Sequence, residues 1–202
     1  MFITLEGIDG CGKSTQLKSI ARFLEENMAS EFLITREPGG WPGGKALKEV
    51  LLSTPELSEE SEILLFFADR QEHLRRVILP ALQRGVLVVC ERYMDSTEAY
   101  QSGESSSASQ LMRRLRDFFS FPSPDCTIYY ALSPEVGLQR IAARNSLDVI
   151  ESRGESFLAS VAERYEILYE QNKSRMVKID AELPPEAVWE ATKKVLKERL
   201  SF

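Results

Sequence analysis

No apolar stretch in this chain approaches the roughly 20 residues needed to cross a bilayer as a helix, so a transmembrane helix is excluded. Long runs of Lys or Arg are missing too, and the net charge is −6, leaving no electrostatic footprint for duplex nucleic acid. Cysteine is scarce: Cys11, Cys90 and Cys126 are widely spaced and match no metal-ligand pattern. Cys90 and Cys126 fall in apolar, strand-like runs and read as buried thiols. Histidine occurs once, and His73 reads as a surface or packing residue from which no acid–base chemistry is required. Met1 leads directly into an apolar run without a basic segment or cleavage site, which sets the expectation of a cytoplasmic protein. With no internal repeat or long linker, the 202 residues are expected to form one domain, 1–202, able to bury a sizeable core.

Against these absences stands one dense motif. Gly7-Ile8-Asp9-Gly10-Cys11-Gly12-Lys13-Ser14 is a complete G-x-x-x-x-G-K-[ST] phosphate loop. Its glycines let backbone N–H groups turn toward phosphate oxygens, Lys13 offers a charge to the β- and γ-phosphates, and Ser14 offers a hydroxyl to Mg²⁺. The short β-rich run Phe2–Glu6 precedes it. A helix starting at Lys13, with Leu17, Ile20, Ala21 and Leu24 at helical spacing, follows and includes Thr15 in its first turn. The order strand, loop, helix implies binding of a nucleoside triphosphate such as ATP. A helix N-terminus and Lys13 beside Cys11 predict a thiolate-prone, oxidation-sensitive sulfur.

Further β-rich runs at 32–35, 86–90, 127–132 and 176–179 alternate with amphipathic segments. Near-continuous apolar strands of this kind indicate an α/β fold with a parallel sheet covered on both faces. The cluster Pro38-Gly39-Gly40-Trp41-Pro42-Gly43-Gly44 reads as a loop at the carboxyl end of the second strand, the edge where such sheets bind ligands. Residues 60–84 read as one long helix bent near Pro80, and 102–109 as a Ser-rich loop. Ser133-Pro134 marks a capped helix start, residues 155–173 a further helix, and 183–200 a C-terminal one.

Three more segments follow the loop in order: Arg36-Glu37-Pro38-Gly39-Gly40, then Phe66-Phe67-Ala68-Asp69-Arg70, then Arg92-Tyr93 running on to Ser96, Ala99, Tyr100 and Gln101. With the arginine-bearing region 140–165, they make the chain resemble the thymidylate kinase family over roughly residues 1–170. The resemblance implies a P-loop NTPase fold of three α/β/α layers, a five-stranded parallel sheet and a helical lid, here about residues 140–155. It implies ATP-dependent phosphorylation of dTMP to dTDP, with Mg²⁺, usually by a homodimer. It also implies that Arg92 lies between donor and acceptor phosphates and that Arg36 reaches the acceptor monophosphate. By the same resemblance Phe66 stacks on the base, Arg70 and Thr97 bond its edge, Tyr100 crowds the sugar 2′ carbon, Asp9 receives the 3′-hydroxyl, and Gln101 belongs to the same substrate-binding set. Phe66 and Arg70, four residues apart, share one helix face.

The departures from the family pattern are specific. Glu91 stands where aspartate is usual, in a position expected to hold Mg²⁺ or its waters together with Ser14. Trp41 replaces threonine, so the Gly-rich loop is expected to close differently over the acceptor. In Leu147-Asp148-Val149-Ile150-Glu151, Val149 occupies the place of the lid arginine. An arginine finger contributes about 10³-fold or more to phosphoryl transfer, so Arg144 or Arg153 is expected to substitute, with Arg140 also in reach. Two other readings follow from these departures: a related nucleotide or deoxynucleoside kinase with another acceptor, suggested by Trp41, and a nucleotide-binding protein without turnover, suggested by Val149 and Glu91.

Overall fold

Five short runs dominated by apolar and β-branched residues pair into one sheet in the order β2-β3-β1-β4-β5, with every pairing parallel. The strands are β1 (Phe2–Glu6), β2 (Phe32–Arg36), β3 (Leu87–Glu91), β4 (Cys126–Ala131) and β5 (Met176–Asp180). This computed structural model describes residues 1–101, 106–143 and 148–200. Side chains alternate between the two faces. Ile3, Leu5, Leu87 and Val89 enter one core with α1 (Lys13–Asn27), while Phe2, Val88 and Cys90 enter another with Leu74 and Ile78. Each fully buried Ile, Leu or Val contributes about 1.5–3 kcal/mol.

Parallel pairing obliges each connection to return over a face of the sheet, so all five strands end at the same edge. Register places Leu5 and Arg36 both opposite Glu91, so the carboxyl ends of β1, β2 and β3 bring their polar residues to one line. The site is built there.

Three local readings are corrected. The Gly-rich stretch after β2 does not stay a loop: α2 (Gly44–Ser53) begins at its last glycine, without a side-chain cap to announce it. The long helix is continuous from α3 (Glu59–His73) to α4 (Leu79–Gln83), but it passes through a π-helical turn at Leu74–Ile78. Pro80 has no N–H for the carbonyl four residues back. The departure from α geometry lies upstream, where Leu79 N–H bonds Leu74 O. The Ser-rich loop is shorter than expected, because α6 (Ser106–Phe119) starts inside it; residues 102–105 lie outside the described residues. Between these, α5 (Met94–Gln101) follows β3.

Beyond β4, α7 (Pro134–Ala142) begins after Ser133, whose backbone is extended as a cap residue's should be but whose hydroxyl makes no cap bond. A single 3₁₀ turn, Glu151–Arg153, precedes α8 (Glu155–Gln171), and α9 (Pro185–Leu200) closes the chain's described part. No helix among the described residues is long and apolar enough to cross a membrane.

Candidate active site

The phosphate loop follows β1 without a break. A side chain at Gly7 would put its Cβ 2.5 Å from Tyr130 O, and one at Gly10 would sit 2.6 Å from Gly137 O, so glycine is required at both places by the close approach of neighbouring backbone. Gly12, also at positive φ, precedes the helix directly. Ile8 and Cys11 turn inward and are buried in the core, so they can meet a ligand only through their backbone. That corrects the expectation for Cys11. Its sulfur lies 3.4 Å from Lys13 Nζ, but a thiol only 2% exposed is shielded from oxidants and alkylating reagents.

Lys13 is itself buried, and its ammonium donates to the carbonyls of Gly7 and Ile8 at 2.9 Å each, bracing the loop across its mouth. Ser14 and Thr15 are exposed at the start of α1, where the first-turn N–H groups have no intrahelical acceptor. The Ser14 hydroxyl donates to Glu91 Oε1 at 2.7 Å, so the longer carboxylate still reaches the loop.

Beside the loop opens a cavity of about 260 Å³, to which Asp9, Ser14, Arg36, Phe66, Arg70, Glu91, Arg92, Thr97, Tyr100 and Gln101 all contribute. Every acceptor-site residue expected from sequence is therefore gathered on one cavity. Lys48 and Leu52 from the unexpected helix α2, and Asp148 and Ile150 from the lid region, line it too. Arg92, in the left-handed region at φ 67°, donates to Asp9 Oδ1 at 2.5 Å and Ser96 Oγ at 3.2 Å, and its guanidinium lies over the Tyr100 ring at 5.0 Å. Tyr100 donates to Asp9 Oδ2 at 2.7 Å. Burial opposes ionisation of Asp9, but Arg92, Lys13 and the Tyr100 hydroxyl outweigh it and hold the carboxyl below its usual range. Arg36 is exposed and has no hydrogen bond or ion pair to any described residue, which leaves its guanidinium free for an anion.

Arg70 is fixed rather than free. Its Nε donates to Glu37 at 2.8 Å, and Nη2 to Thr97 Oγ1 at 2.8 Å and Tyr93 O at 3.0 Å. His73 is fully buried, contrary to a surface role, with its ring nitrogens against Glu37 and Thr35. Trp41 is not among the residues that line the cavity: its indole N–H bonds Asp69 Oδ1 at 2.8 Å, while Asp69 Oδ2 accepts Gly39 N–H at 3.0 Å. Through Asp69, Trp41 thus ties the Gly-rich loop to α3.

The lid arginines divide. Arg153 forms an ion pair with Glu62 and lies over the Phe157 ring at 5.0 Å, in a neighbouring cavity it shares with Val149. Glu62 also accepts from Gln101 at 2.8 Å. Arg140 donates to Ala181 O at 3.0 Å and Gly10 O at 3.4 Å, touching the phosphate loop from behind. Arg144 lies outside the described residues.

One buried carboxyl under the site escaped the sequence reading. Glu6 accepts from Tyr93 N at 2.7 Å, Ser96 Oγ at 2.5 Å and Tyr165 Oη at 3.0 Å. Burial, then repulsion from Asp95, pushes its carboxyl up to about 7 from an ordinary 4.5. The folded chain therefore binds a proton more tightly than the unfolded chain, and the folding free energy contributed by Glu6 falls as pH rises through that interval. Stability of Glu6→Gln relative to the unsubstituted chain is expected to rise between pH 4.5 and 7 by up to about 3 kcal/mol, then level off. Urea melts across that range measure it, and a difference that stays flat would overturn the assignment.

A family model described as thymidylate kinase matches residues 5–192. The chain belongs to the thymidylate kinase family. The thymidylate kinase of Mesoplasma florum is 38% identical over the whole of this chain and 97% of its own length. That of Pseudomonas putida is 40% identical over 95% of this chain and 93% of its own. The crystal structure of the thymidylate kinase from Ehrlichia chaffeensis superposes with a TM-score of 0.76 at 30% identity, covering 97% of this chain and 98% of that one. Membership of the thymidylate kinase family accounts for the α/β sheet order, the phosphate loop and the neighbouring cavity together.

Proposed function

We propose that this chain phosphorylates dTMP to dTDP with ATP, the phosphate loop taking the donor and the adjoining cavity the acceptor. Arg92 carries the reading. It bonds Asp9 of the phosphate loop on one side and Ser96 of the cavity wall on the other, so its guanidinium spans the junction of the two subsites. Arg36 meets the acceptor monophosphate, Phe66 stacks on the base, and Arg70 with Thr97 reads its polar edge. Tyr100 excludes a ribose 2′-hydroxyl, Asp9 receives the 3′-hydroxyl, and Gln101 closes the wall. An acceptor phosphate oxygen is anionic at neutral pH, so in-line attack on the γ-phosphorus needs positioning and cations rather than a strong base. Lys13 and Arg92 provide both, and closure of the lid keeps water from taking the phosphoryl group.

Ser14 and Glu91 offer a hydroxyl and a carboxylate within 2.7 Å of each other at the mouth of the loop, a hard-oxygen donor pair of the kind Mg²⁺ takes. Bound there with triphosphate oxygens, Mg²⁺ would offset charge on the phosphates. The remaining cation comes from the lid, from Arg144 or from Arg153 once released from Glu62. A cytoplasmic homodimer is the setting we propose; within the apolar stretch 63–67, Leu64 is exposed at 49% while Ile63 and Phe67 are consumed by the chain's own core.

The test is ADP release from Mg-ATP with dTMP, dUMP, dCMP, dGMP and thymidine as acceptors. Steady turnover with dTMP preferred is expected. Another preferred acceptor, or binding without turnover, would favour one of the two competing readings. In the same assay Arg144→Ala or Arg153→Ala is expected to lower kcat by about 10²-fold or more. If both stay within threefold, the assignment of the finger to Arg144 or Arg153 fails.

A further inference from the structure

We infer that His73 is a positioning residue for acceptor recognition, acting through Glu37 on the guanidinium plane of Arg70. The inference rests on the reading that places Arg70 at the acceptor base. The geometry is a buried chain of four polar groups from β2 to the cavity. Thr35 Oγ1 lies 2.7 Å from His73 Nε2, His73 Nδ1 lies 3.0 Å from Glu37 Oε1, and Glu37 Oε2 accepts from Arg70 Nε at 2.8 Å. All four residues are at most 8% exposed, so none of these groups can exchange its partner for bulk water.

A proton on Nδ1 gives the second oxygen of Glu37 its donor, and Nε2 pairs with the Thr35 hydroxyl, which can serve as donor or acceptor. Each carboxylate oxygen then has one strong partner, and the carboxylate cannot rotate without breaking one of them. A fixed carboxylate fixes Nε, and with Nη2 held by Thr97 and Tyr93 O the whole planar fork is determined. Among the described residues Nη1 reaches only the Met94 sulfur, at 3.4 Å. Of the five N–H bonds of Arg70, one on Nη1 is thus left for a ligand in the cavity that the residue lines. That single donor can read a ring carbonyl only if the plane does not tilt.

The loop above is fitted to the imidazole. A Cβ on Gly40 would lie 2.5 Å from His73 Nε2 and 2.7 Å from Thr35 Oγ1, so the Pro-Gly-Gly turn rests directly on this pair. Glu37, His73 and Cys90 also bring three potential metal-ligand atoms within 4.8 Å of one another. Both imidazole nitrogens are already occupied, however, and a metal would have to displace the bonds that hold Arg70. The arrangement is that of an orienting network.

The decisive experiment is a kinetic double-substitution cycle on the full chain, with folding of each variant checked by thermal melting. His73→Gln, which loses the donor at the Nδ1 position, is expected to raise KM for dTMP about tenfold while kcat and KM for ATP change less than about twofold. His73→Asn, whose amide falls at the Nδ1 position, is expected to recover most of that loss. In an Arg70→Gln background the His73→Gln effect is expected to shrink to less than about twofold, because the guanidinium it positions is gone. Effects that multiply in the double variant, or equal loss of ATP and dTMP affinity, would overturn the inference by showing a general structural role. If Arg70→Gln alone leaves KM for dTMP unchanged, the placement of Arg70 at the base is what fails.

Discussion

Lys13→Ala lowers kcat for dTMP phosphorylation by roughly 10³-fold, with Lys13→Met, which keeps length without charge, nearly as damaging. The expectation follows from two jobs held by one ammonium. It donates to the carbonyls of Gly7 and Ile8, where the loop leaves β1. With triphosphate bound, the same charge faces oxygens that gain negative charge as the γ-phosphoryl leaves, and a buried cation that is already in place costs no reorganisation then. Removing a single preorganised donor from such a site costs about 10²–10³-fold, and the loss of full charge adds to it. Methionine restores the packing of the stem but neither the hydrogen bonds nor the charge, so comparing it with alanine separates stem packing from the ammonium. Steady-state ADP release measures both variants; turnover near that of the unsubstituted chain in either would remove Lys13 from the mechanism.

What could be read ahead of the structure was what sits close in sequence. The five strands are runs dominated by apolar and β-branched residues, the phosphate loop is eight contiguous residues, and Phe66 and Arg70 are one helical turn apart. Hydrophobic periodicity reports which face of an element is buried, and it does that well here. It says nothing about which polar group meets which across the core. Glu37, Arg70 and His73 come from β2's end and from α3, and their bonds join residues 33 and 36 positions apart. Arg153 meets Glu62 across 91 positions. One signal was available: Glu62, Asp69, Arg70 and His73 share helix faces with the buried Ile63 and Phe67, and charges among core positions must be paired. Helix α2 was hidden for another reason. It starts in a run of glycines and prolines with no capping side chain, so local chemistry pointed to a loop while packing against α3 made a helix. The Trp41–Asp69 bond is another such long-range pairing, since nothing in the sequence near Trp41 announces its partner on α3.

Arg92→Ala and Arg92→Gly separate catalysis from strain at the junction of the two subsites. Both remove the guanidinium that bonds Asp9 and Ser96, and both are expected to lower kcat by about 10²–10³-fold, through loss of the cation between donor and acceptor phosphates. Their stabilities should differ. Arg92 sits at φ 67°, where a Cβ costs energy and glycine does not. Glycine is therefore expected to leave the fold about 1 kcal/mol more stable than alanine at this position, with the gain reduced by its greater freedom in the unfolded chain. Arg92→Lys adds the third comparison. It keeps the charge but has no planar fork to meet Asp9 and Ser96 together while lying over Tyr100, so most of the turnover should still be lost. The residue thus accepts backbone strain at the end of β3 in order to aim a flat cation at the loop. Denaturant melts and ADP release on the three variants test that directly. Equal stability of the glycine and alanine variants would remove the strain, and activity retained by lysine would reduce Arg92 to a point charge.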